Sequence, residues 1–161
     1  MIFIGFGANL PSRFGSPQET IEAALVALPE QGVRALRVSP FYRTQPVPLS
    51  DQPWFINAVA EVETQLSPTE LLAALHRIED EFGRVREVRN EPRLIDLDLI
   101  DYQGRIALGQ PILPHPRLHK RAFVLLPLQN LAPDWRHPMM DRNVPELIAE
   151  LPPDQIAERV R

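Results

Sequence analysis

The sequence predicts an α+β fold in a single domain, residues 1–161: an antiparallel sheet with helices packed on one face. Three observations predict it. Four apolar, β-branched or aromatic runs are bounded by turn residues. Two helical stretches between them open with the same Ser-Pro-x-Glu signal. No stretch of linker composition divides the chain. The resulting β-α-β-β-α-β order is the split βαβ, or ferredoxin-like, arrangement, here followed by extra C-terminal helices.

Each element has its own reason. Ile2, Ile4 and Phe6 alternate with Phe3 and Gly5 in a mostly apolar strand ending at "GANLPS". In "SPQE", Ser16 is the N-cap, Pro17 occupies the first helical position and Glu19 completes a capping box. Ile21, Ala24, Leu25 and Leu28 follow at helical spacing. "VRALRVSPFYR" reads as one second strand and "FINAVAEVET" as a third. "SPTE" (Ser67, Pro68, Glu70) opens the next helix; Leu71, Leu75, Ile78 and Phe82 form its apolar stripe, and Gly83 stops it. "LIDLDLIDY" is the fourth strand. "RAFVLLPLQNLAP" predicts a helix, and "NVPELIAEL" a short one capped by Asn143.

Composition narrows the function. Without cysteine there is no disulfide framework and no thiolate metal site. No apolar run approaches the roughly 20 residues that span a bilayer. "MIFIGFGANL" lacks a basic leader and reads as a strand, so a cytoplasmic protein is expected. A net charge of −4 argues against a general nucleic-acid surface.

The fourth strand carries the chemistry. Ile95, Leu97 and Leu99 point one way, Asp96, Asp98 and Ile100 the other. The two carboxylates sit roughly 7 Å apart, twice the rise per residue, and repel. Two readings are open: a solvent-facing strand with incidental charge, or a divalent cation held by hard oxygen ligands, as magnesium is. Upstream, "GRVREVRNEPR" places Arg84, Arg86, Arg89 and Arg93 in one segment; it is either a solvated basic loop or a set of guanidiniums for a polyphosphate. "HPRLHKRAF" adds His115, Arg117, His119, Lys120, Arg121 and Phe123. "FYRTQPVPLSDQPWFINA" is a proline-stiffened loop ending in Phe55 and Asn57, which could stack on and hydrogen-bond to a flat heterocycle. His76 and Glu79, off the apolar stripe of their helix, read by default as surface polar residues.

"FYRTxPV", "DQPxFxNAV", "IEDEFGRVR", "PRxIDLDLI", "LPHPRLHKRAFVLLPL" and "LAPDW" occur in this order and spacing. The chain resembles, from Met1 to about Ile148, the 6-hydroxymethyl-7,8-dihydropterin pyrophosphokinase family of folate biosynthesis. The resemblance implies a ferredoxin-like enzyme, a diphosphotransferase, that moves a pyrophosphoryl group from ATP to the pterin hydroxymethyl oxygen and releases AMP. It implies Asp96 and Asp98 as ligands of two magnesium ions, and Arg84 and Arg93 on the transferring phosphates. Arg86, Arg93, His115 and Arg121 would contact ATP, with His76 and Glu79 matched more loosely. Thr44, Val47 and Asn57 would hold the pterin edge, and Phe55 and Phe123 would sandwich the ring. The expected partners are these two small molecules, with no nucleic acid or membrane, and the expected state is a monomer. Residues 84 to 92 are expected to be mobile without ligand and to close over bound nucleotide and pterin. The chain departs from the family where Asn90-Glu91-Pro92-Arg93 replaces Trp-Gly-Pro-Arg, where Phe55 stands for tyrosine, and at Pro116. The rivals are a metal-dependent phosphohydrolase and a non-catalytic anion-binding module.

Overall fold

The predicted Ser-Pro-x-Glu signals both open helices in the computed structural model, which describes residues 1–46, 48–83 and 94–160. Helix α1 (Pro17–Ala27) is capped by Ser16 and Glu19, and α2 (Pro68–Glu81) by Ser67 and Glu70, each a reciprocal capping box. Gly83, just past α2, has φ +118°, a left-handed conformation in which any other residue would be strained. Asn143 caps α4 (Val144–Ala149) in the same way. The predicted helix after residue 121 is α3 (Ala122–Leu131).

The strands are β1 (Ile2–Ala8), β2 (Val33–Val38), β3 (Tyr42–Thr44), β4 (Phe55–Thr64), β5 (Asp96–Tyr102) and β6 (Ala157–Arg159). They form one antiparallel sheet in the order β5-β1-β4-β3-β6, with β2 also paired to β4. One expectation is corrected. "VRALRVSPFYR" is two strands, because Pro40 has no N–H for the ladder. Ser39 closes the gap instead: its N–H donates to the Val59 carbonyl and its hydroxyl accepts from the Val59 N–H. Strand β6 has no counterpart in the sequence pattern, since three residues carry no readable period.

Both faces of the sheet are covered. On one, α1 and α2 pack Ile21, Leu71, Leu75 and Ile78 against Ile4, Phe6, Leu97 and Leu99. On the other, α3 and α4 bring Leu125, Leu128 and Leu147 over Phe3, Val59 and Ile100. The helices expected on one face are thus α1 and α2; the C-terminal helices make a third layer. Each fully buried residue of this kind contributes about 1.5–3 kcal/mol by leaving water. Among the described residues, no helix is long and apolar enough to cross a membrane.

Candidate active site

Strand alternation decides where the site can form. Even-numbered residues of β1, Ile2 to Ala8, face α1 and α2; Phe3, Gly5 and Gly7 face the α3 layer. Gly5 lies opposite Asp98 and Gly7 opposite Asp96. On the other flank Gly7 pairs with Asn57. A Cβ on Gly7 would come within 2.9 Å of Asn57 Nδ2 and 4.0 Å of Phe55 Cδ1, and one on Gly5 within 3.3 Å of Ile100 Cδ1. The sheet therefore has a bare backbone floor between its aspartates and its asparagine. Isolated glycines inside a strand signal such close approach, and Gly5 and Gly7 are that signal in this sequence.

Over this floor is a cavity of about 190 Å³, lined by Phe55, Asn57, Asp96, Asp98, Arg121 and Phe123 among others. Asn57 is held at its edge: its Oδ1 accepts from the Thr44 hydroxyl at 2.5 Å, and its Nδ2 donates to the Phe6 carbonyl at 3.5 Å. Gln45 also lines the cavity, a residue that no sequence signal singled out. Two phenylalanines beside a fixed amide and hydroxyl suit a flat, polar-edged ring.

A second cavity, about 230 Å³, lies on the other side of Asp98 and is lined by Leu72, His76, Glu79, Gln110, His115 and Pro116 among others. Asp98 borders both cavities. Glu79 is buried, contrary to the surface default for its helix position, and accepts from the Leu97 N–H at 3.0 Å, tying α2 to β5. His76 is exposed. The His115 N–H donates to the Ile100 carbonyl at 2.9 Å, and its Nδ1 accepts from the Arg117 N–H at 3.1 Å. Burial, then Arg121 and Arg117, hold its pKa down to about 4. The ring is neutral near pH 7, with Nε2 left to carry the proton.

Arg121 sits between these parts. Burial pulls its guanidinium below the usual range, Asp98 and Asp96 act against that, and Arg117 adds to it. Its Cζ lies 5.2 Å from the Phe123 ring centre. His119 does not join them; it packs edge-on against His137, 5.8 Å away. Arg84, Arg86, Arg89, Arg93, Asn90 and Val47, and with them the expected closing loop, lie outside the described residues.

A metal would find two hard oxygen donors on one face. Among the described residues no group of three or more His, Cys, Asp or Glu side chains could hold one. Two carboxylates, with water and phosphate oxygens completing the shell, match the habit of magnesium.

The sequence matches the profile of the 7,8-dihydro-6-hydroxymethylpterin-pyrophosphokinase (HPPK) family over residues 3–133. The chain is 46% identical over 156 residues to the 2-amino-4-hydroxy-6-hydroxymethyldihydropteridine pyrophosphokinase of Pseudomonas aeruginosa, which covers 94% of this chain and 91% of that one. It is 40% identical over 152 residues to the folic acid synthesis protein fol1 of Schizosaccharomyces pombe, covering 93% of this chain; it spans only 20% of that relative. The crystal structure of Plasmodium falciparum HPPK-DHPS wild type matches 92% of this chain and 44% of its own at a TM-score of 0.70 and 12% identity, a likeness of fold alone.

Proposed function

Because the chain belongs to the 7,8-dihydro-6-hydroxymethylpterin-pyrophosphokinase family, we propose that it transfers the pyrophosphoryl group of ATP to the hydroxymethyl oxygen of 6-hydroxymethyl-7,8-dihydropterin, in folate biosynthesis. The observation that carries this reading is the meeting of two cavities at one carboxylate, Asp98: an aromatic cavity on one side and a polar one on the other. A transferase with two substrates needs two such seats and a shared boundary; a hydrolase needs one.

The ring lies between Phe55 and Phe123, with Asn57 and Thr44 reading its polar edge and Val47 expected beside them. The nucleotide occupies the second cavity, where the neutral His115 donates from Nε2; Arg121, on the wall of the first cavity, reaches the phosphate oxygens at the boundary, and His76, Glu79, Arg86 and Arg93 complete the contacts. The acceptor oxygen attacks the β-phosphorus in line, the bond from that phosphorus to the α-phosphate oxygen breaks, and AMP leaves; the hydroxyl proton passes to solvent. Asp96 and Asp98 would hold magnesium, two ions by the family pattern, which when bound offsets phosphate charge and polarises the reacting oxygens. Arg84 and Arg93 would grip the group in transit. Positioning and charge compensation supply the rest. We read the β1-α1-β2/β3-β4-α2-β5 core as ferredoxin-like, and the protein as a cytoplasmic monomer that handles only these small molecules.

The test is the fate of the nucleotide. With ATP, magnesium and the dihydropterin alcohol, AMP should form only when the pterin is present. Release of phosphate without pterin would mean a hydrolase; no turnover would mean a binding module.

A further inference from the structure

The C-terminal segment lies beyond the stretch that matches the family profile, which ends at residue 133, yet it is bonded to Gln45, which lines the ring cavity, and to the backbone on either side of Arg121, which also lines it. Helix α3 begins at Ala122, and its N-cap, Arg121, makes no side-chain capping bond. The buried Ala122 N–H is one of the amides a helix start leaves unpaired. It donates instead to Gln155 Oε1 at 2.8 Å, from 33 positions away in sequence. The same side chain donates from Nε2 to the Lys120 carbonyl at 2.7 Å. One amide group thus clasps the peptide bonds on both sides of Arg121. Only one orientation of that amide satisfies both partners. Immediately after it, the Ile156 carbonyl accepts from the Gln45 N–H at 3.2 Å, and Ala157 pairs with Thr44 across β3 and β6.

We propose that Gln155 is a positioning residue for the pterin seat: it fixes the backbone of Arg121 and the first turn carrying Phe123, while the adjoining residues 156–157 fix Thr44 and Gln45 on the opposite side. The segment sets the width of the slot the ring enters. This rests on the reading of Phe123 and Arg121 as ligand contacts.

The experiment uses the full chain with Gln155→Ala and Gln155→Glu. A pterin analogue is titrated in the presence of a saturating non-hydrolysable ATP analogue, with steady-state kinetics and thermal unfolding alongside. Gln155 is half-buried, so both variants should fold. Gln155→Ala should weaken the pterin analogue about fivefold and raise the pterin KM by a similar factor, the scale of one or two lost hydrogen bonds, with kcat changed less than about twofold. Gln155→Glu keeps an acceptor for the Ala122 N–H but sets its second carboxylate oxygen against the Lys120 carbonyl, so it should weaken the pterin analogue at least as much as Gln155→Ala. A fall in unfolding temperature with unchanged pterin affinity and KM would overturn the inference and leave Gln155 a stability cap; so would a Glu variant that binds the pterin analogue as tightly as the native chain. Phe123→Ala and Arg121→Ala run beside them: if neither affects binding, the site assignment itself fails, whatever Gln155 does.

Discussion

Strand β5 carries three aspartates, and its two ends use them differently. Asp96 and Asp98 are half-buried on the face turned toward the aromatic cavity, over the glycine floor. Asp101, three residues on, is 2% exposed; its Oδ2 accepts from Trp135 Nε1 at 3.1 Å and from the Gly104 N–H at 3.3 Å. Burial, the largest influence, raises its pKa against those hydrogen bonds. The register between β1 and β5 shifts between Phe3 and Ile4, so that Phe3 faces Asp101 while Ile4 faces Leu99. That irregularity separates the two uses: above it the carboxylates border a space for ligand, below it one is sealed under an indole. A strand aspartate signals chemistry only when its neighbours leave room beside it.

The sharpest way to break this contrast is to remove each carboxylate. Asp96→Asn and Asp98→Asn should each reduce turnover by about a thousandfold or more, some 4 kcal/mol of transition-state stabilisation, with the fold intact. Asp101→Ala should do the reverse. Turnover stays within about twofold, while unfolding in denaturant reveals a loss of about 1–3 kcal/mol from the stranded Trp135 and Gly104 donors. Loss of activity in a stable Asp101→Ala protein would erase the distinction between the two ends. Smaller effects belong to the ring seat. By calorimetric titration, Phe55→Ala and Phe123→Ala should each weaken pterin binding by about 1–3 kcal/mol and leave ATP binding near native. Unchanged pterin affinity would make both phenylalanines plain packing residues.

The smallest expected effect falls between the two ends, where the His115 N–H is anchored on the Ile100 carbonyl. Its folded pKa of about 4 lies below the ordinary 6.5. Between those values the unfolded chain binds the proton and the folded one resists it. The stability linked to His115 is therefore fully present above about pH 6.5 and lost as pH falls toward 4. Because the ring keeps some contact with solvent, the loss should be about 1 kcal/mol rather than the full value of the shift. Thermal unfolding across this range should show a shallower decline in His115→Gln than in the native chain. Parallel declines would place the titration elsewhere.

Much of this was legible in the chain. The capping boxes at Ser16, Ser67 and Asn143 are local, since four residues contain the whole interaction, and the sequence shows all four. The alternation of Leu97 and Leu99 with Asp96 and Asp98 is equally local, as period two needs no partner strand. What escaped depends on partners far away. Glu79 reads as surface until β5 offers it a backbone N–H. The break at Pro40 shows only once Ser39 is bonded to Val59. Gln45 and Gln155 owe their places to strand β6 and the start of α3, contacts that span more than 30 positions.

The floor at Gly7 has a consequence for any inhibitor built to lie in the aromatic cavity. Every replacement of that glycine adds a carbon 2.9 Å from Asn57 Nδ2, crowding the amide that holds the cavity's edge. The phenylalanine walls can be altered one side chain at a time, but the floor is bare backbone, and its atoms are common to every sequence. A compound that draws its affinity from close contact with that floor presses on the surface where resistance by substitution has the least room to arise.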